Sequence, residues 1–126
     1  FGESITLQSY AVSALDVAAG DALLVRLTWG TDAPLTTRYK VFVQLLSPDG
    51  TLAAQRDAEP AGGLTPTTAW DVGQAVSDNH ALLIPQTLAA AEDYTLIVGL
   101  YDAENPAARL AVGDGDALTL ATIRVR

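Results

Sequence analysis

Few side chains in this sequence are able to do chemistry, and their spacing narrows what that chemistry is. His80 is the single histidine. Asp78 lies two residues before it, so on a strand both project from one face. Such a pair suits two metal ligands, or a general base with its orienting carboxylate. No nucleophile accompanies it: cysteine is absent and there is no Gly-x-Ser-x-Gly elbow. A lone histidine at the head of an apolar run reads as a surface or hydrogen-bonded residue, and the four glutamates are too dispersed to mark a glycosidase pair. No catalytic residue and no cofactor is expected.

Trp70 carries the second constellation, in the run Pro66-Thr67-Thr68-Ala69-Trp70-Asp71-Val72-Gly73. An exposed indole stacks on the apolar face of a sugar ring, with Asp57, Asp71 or Asp78 accepting its hydroxyl protons. These four residues are the candidate ligand-binding set. The competing reading folds Trp70 back as a plug that pins a long loop, with Asp57 or Asp78 accepting hydrogen bonds from loop amides or from Thr67 and Thr68. Burying an indole contributes a few kcal/mol, so the plug is preferred here. Asp114 and Asp116, in Gly113-Asp114-Gly115-Asp116, offer a fragment of a calcium site. Calcium takes six to eight oxygens and the usual acidic loop is missing, so a plain turn is the better reading.

These residues need a scaffold, and composition says which kind. At 126 residues the chain is a single domain, 1–126, that buries roughly two-thirds of its unfolded surface without staples. With no cysteine, disulfides and thiolate metal sites are excluded. Fifteen acidic against seven basic residues leave a net charge of -8. That charge disfavours nucleic acid and anionic membranes, and the basic residues read as scattered along the chain. Apolar runs such as Ala22 to Val25 and Leu96 to Tyr101 fall far short of the roughly 20 residues of a spanning helix, so no direct membrane insertion is expected. The chain lacks Met and starts Phe1-Gly2-Glu3, which reads as a fragment of a longer protein.

Period-two alternation dominates the chain. A first strand begins at Ile5 and Leu7 and extends toward Val12 and Val17. Leu23, Val25, Leu27 and Trp29 then face one way, Arg26 and Thr28 the other. Tyr39 to Leu46 carries bulk on both faces, as a central strand does. Ser47-Pro48-Asp49-Gly50 turns into a partner at Thr51 to Asp57. The long connection 58–74 follows, then a strand in Ala75 to Pro85, a loop or single helical turn at 86–91, and a strand at Tyr94 to Asp102. Asn105-Pro106 reads as a turn. Arg109 to Val112 and Ala117 to Val125 read as a hairpin across 113–116. The expected fold is an all-β, two-sheet antiparallel sandwich of about eight strands, immunoglobulin/fibronectin-like or jelly-roll-like. Tyr94, at a late strand start, suits a corner tyrosine whose hydroxyl turns back onto upstream backbone.

Several of these segments recur together in a known context. Ile5-x-Leu7, Gly20-Asp21-x-Leu23, Leu27-x-Trp29, Tyr39-x-Val41-Phe42-Val43-x-Leu45, Asp49-Gly50, Gln55-x-Asp57, Pro66-Thr67, Trp70, Ile84-Pro85 and Tyr94-x-Leu96-x-Val98-Gly99-Leu100-Tyr101-Asp102 stand in this order. In that order the chain resembles the C-terminal β-sandwich domains of bacterial multi-spanning membrane proteins related to protein-mannosyltransferase-type glycosyltransferases. Gln44 stands where such domains often carry His, and Ala91-Glu92-Asp93 replaces their Pro-Gly turn. The resemblance implies an extracytoplasmic, non-catalytic accessory domain tethered through an upstream membrane part. Its implied partners are a glycan or that membrane part. The transfer chemistry belongs to the membrane part. Carbohydrate binding through Trp70 is the alternative function.

Overall fold

The computed structural model describes residues 1–126. Nine strands form: β1 (Ile5–Val12), β2 (Asp16–Val17), β3 (Ala22–Thr31), β4 (Tyr39–Leu46), β5 (Leu52–Ala58), β6 (Val76–Leu83), β7 (Glu92–Asp102), β8 (Asn105–Arg109) and β9 (Leu118–Val125). They build two packed sheets, one of order β1-β3-β6, the other β2-β9-β7-β4-β5 with β8 also beside β7. The all-β sandwich expected from the alternation is the fold. No helix is long and apolar enough to cross a membrane.

The alternation translates directly into burial. In β3, Leu23, Val25, Leu27 and Trp29 are sealed while Leu24 and Arg26 face out; in β6, Val76, Asp78, His80 and Leu82 point inward. Val41, Val43 and Leu45 of β4 meet Leu96, Val98 and Leu100 of β7 in the same layer, within one continuous core of 21 residues. Because β4 and β7 are central, their outer faces need cover too. Phe42, Ile97 and Tyr101 supply it as a second, small cluster on the outside of the larger sheet. There Gly99 sits opposite Phe42, whose ring lies over it and fills the space a side chain would take. The Arg109 guanidinium lies over that ring, 4.2 Å from its centroid.

Three local expectations differ from the structure. The first strand does not run on to Val17. It ends at Val12, and the chain crosses to the other sheet, where β2 pairs in parallel with β9. Val17 is thereby buried at the end of the sandwich. Asn105-Pro106 opens a strand rather than forming a turn, since β8 pairs with β7 and leaves the proline at the sheet margin. The hairpin across 113–116 is reduced to one bridge, Val112 to Gly115, because β9 pairs instead with the first half of β7. The inward apolar phase of β9 (Leu120, Ile123, Val125) draws it onto that central strand. No helical turn forms over 86–91, where Leu88 N–H bonds only to the Pro85 carbonyl.

Candidate functional site

The strand β6 carries Asp78 and His80 into the core in phase with Val76 and Leu82. Asp78 is 0 % exposed and His80 2 %. His80 Nε2 lies 2.7 Å from Asp78 Oδ2, the same oxygen that accepts from Trp29 Nε1 at 3.1 Å. The other carboxylate oxygen accepts from the backbone N–H of Ala61 at 2.9 Å. One buried carboxylate therefore ties β6 to β3 and to the long loop. His80 Nδ1 is buried with no partner. Asp78 is satisfied at both oxygens, as a buried carboxylate must be. The dyad is closed to solvent and has no nucleophile beside it.

The loop 58–74 is held at several points. Its first turn, Pro60–Gly63, packs against β6, and Ala61 adopts a left-handed φ of 54° while its N–H reaches Asp78. Thr67 is fully buried; its hydroxyl donates to the Thr37 carbonyl at 2.7 Å and accepts from Tyr39 N–H at 3.1 Å. Trp70 is 4 % exposed, and its indole N–H donates to the Thr65 carbonyl at 2.9 Å. The indole is a plug, with no face left for stacking.

The four candidate ligand residues are not brought together. Asp57 lies on the outside of the larger sheet, where it accepts from the Tyr101 hydroxyl at 2.8 Å. Burial, then the hydrogen bond to Asp57 and its charge, push the Tyr101 phenol up to about 12. Asp71 is exposed at the loop end. Of the expected loop acceptors only Asp78 serves, and Thr67 bonds to backbone rather than to a carboxylate. Asp116 faces Arg109 at 3.4 Å and Asp114 is exposed. No three acidic or histidine side chains converge as metal ligands. Tyr94 does turn its hydroxyl onto upstream backbone, donating to the Ala89 carbonyl at 3.2 Å.

Three surface hollows remain, one of them a hollow of about 320 Å³ beside Phe1, Leu35 and Leu110. A cleft of about 490 Å³ by Thr36 to Arg38 is polar, and Glu59 occupies the Arg38 guanidinium through a two-pronged pair at 2.8 and 3.0 Å. A groove of about 600 Å³ lies on the outer face of the three-stranded sheet. Its floor is Leu24, opposite Ala81 of β6, with Ala11 of β1 nearby, and its polar lining residues are Ser13, Arg26, Asn79, Arg56 and His80, the last only 2 % exposed. The basic residues read as scattered in sequence, yet Arg26 and Arg56, thirty positions apart, line this one groove. Arg56 stands opposite the inward-facing Val43 on edge strand β5, so it reaches over the open seam toward β6. The one legible signal was Leu24, an apolar residue out of phase on the polar face of β3. Compared with known families and curated proteins, the chain matches no family model and no curated protein.

Proposed function

We propose that this chain is a non-catalytic accessory and interaction domain, working on the extracytoplasmic side of membrane glycosyltransferase-like proteins of the kind it resembles. The observation that carries this reading is the position of its only histidine. His80 and Asp78 are sealed in the core, where they bind Trp29 and the Ala61 amide instead of facing a substrate. A general base must come within hydrogen-bond reach of its substrate, and this one is walled off from any. Sugar binding through Trp70 is the weaker reading, since the indole is committed to Thr65 and to the core. The partner remains a glycan met elsewhere on the surface or the membrane part of such a protein.

The test is turnover by the purified domain. Chromogenic glycosides, esters and a lipid-linked sugar donor should all remain unconverted. Robust conversion that disappears in a His80→Asn variant with an intact circular dichroism spectrum would reject the proposal.

A further inference from the structure

The groove on the three-stranded sheet is built to receive an anion on an aliphatic body, and the geometry points to an acidic segment of a protein partner as its occupant. Four of the seven cationic side chains, Arg38, Arg109, Arg124 and Arg126, are paired with carboxylates. Arg26 and Arg56 are not, and no Asp or Glu lines the groove they share. In a chain with 15 acidic residues, that is a local reversal of sign.

The neutral polar groups point the same way. Asn79 Oδ1 already accepts from Arg26 Nε at 3.3 Å, which leaves the amide nitrogen to donate outward. Ser13 Oγ accepts from Leu24 N–H at 3.0 Å, which leaves its hydroxyl proton free. Each acceptor already takes one bond from the protein, whereas the Asn79 amide nitrogen, the Ser13 hydroxyl proton and the two guanidinium groups leave donors in excess for a ligand. Carboxylates, which only accept, satisfy such a set; neutral sugar hydroxyls, which both donate and accept, do so poorly.

Size and shape select among anions. A groove of about 600 Å³ far exceeds a free oxyanion, and its floor is aliphatic, with Leu24 still 56 % exposed. No aromatic ring is present to stack a sugar. An anionic lipid surface would meet the whole face of a domain of net charge -8, where two arginines give little compensation, whereas a short acidic segment meets only the groove that those arginines line. A peptide that alternates carboxylate and aliphatic side chains fits both the donors and the floor. This surface deepens the interaction-domain reading and rests on it only in supposing that a partner exists.

The experiment is a titration of the isotope-labelled domain with a synthetic peptide of alternating glutamate and leucine, followed by NMR. The amide signals of Leu24, Arg26, Asn79 and Ala81 should move, and the matched glutamine–leucine peptide should leave them in place. Arg26→Gln with Arg56→Gln should weaken binding by about tenfold or more, as loss of an interfacial arginine does. Leu24→Ser, at an exposed position, should weaken it as well. No perturbation by the acidic peptide, equal response to the glutamine peptide, or unchanged binding in either variant overturns the proposal. So does the same pattern of shifts from sodium phosphate alone or from phosphatidylserine vesicles. Such a failure beside a blank turnover assay would remove this surface and leave the accessory-domain reading standing.

Discussion

At the scale of single residues, Asp78 has the largest structural role. Three donors from three parts of the chain, Trp29, His80 and Ala61, converge on its carboxylate. Replacing it by Ala strands all three in the core, so Asp78→Ala should destabilise the domain by about 3–5 kcal/mol, the cost of breaking a buried pair. Chemical denaturation measures it directly. Tyr101 gives a second residue-scale prediction. Its phenol ordinarily ionises at 10.0 and is pushed up to about 12 by burial and by Asp57. The stability it contributes is complete below about pH 10 and is lost as pH rises through 12. In a spectroscopic titration one of the four tyrosines should ionise last, and Tyr101→Phe should delete that late phase. Asp49 moves oppositely: hydrogen bonds from Ser47, then from the Thr51 hydroxyl and N–H, lower it from 3.8 to about 2. Its contribution is present above pH 3.8 and fades as pH falls toward 2. Carboxyl-carbon NMR should place its midpoint near 2 and find it higher in Ser47→Ala.

Among the elements, the loop 58–74 and the strand pair β4–β7 show how packing decides what a segment is for. Trp70 is the loop's large apolar anchor, so Trp70→Ala should cost about 3 kcal/mol and open the loop to limited proteolysis before global unfolding. An unchanged melting temperature with lost oligosaccharide binding would instead restore the sugar-platform reading. The loop also lays Pro60–Gly63 along β6, the edge strand of the smaller sheet. An uncovered edge invites pairing with other chains, so the same opened variant should aggregate more readily. On the larger sheet, a Cβ at Gly99 would collide with the Phe42 ring and sit 3.0 Å from the Asp116 carbonyl. Gly99→Ala should therefore destabilise by about 1–3 kcal/mol, as overpacking does, and lift Phe42 away from Tyr101.

For the molecule as a whole, the net charge of -8 sets the response to solution conditions. Its arginine–carboxylate pairs lie on the surface and contribute little individually. Self-repulsion among the excess carboxylates outweighs them at low ionic strength. Raising salt from about 0.01 M to 0.15 M shortens the screening length from about 30 Å to 8 Å. The melting temperature should rise over that range. A fall would mean that the surface pairs dominate.

Alternation alone was enough to read the sandwich, because side-chain direction in a strand has a strict period of two and a two-layer core accepts one phase. Leu23, Val25, Leu27, Val41, Val43, Leu96, Val98 and Leu100 all fall in that phase and all are buried. Tyr94 and the plug role of Trp70 were legible for a related reason: each is a large side chain with one polar atom, and nearby backbone can satisfy it. The inward phase of β6 also extended to Asp78 and His80, though a histidine is too often exposed for spacing to seal it in the core. Pairing partners were another matter. Whether β9 joins β7 or closes a hairpin, and whether Val17 belongs to the first strand or crosses sheets, depends on which buried surface each segment finds. The groove was hidden for the same reason. Arg26 and Arg56 share one groove because the edge strands β5 and β6 come together across the seam of the two sheets, a proximity that no local pattern encodes.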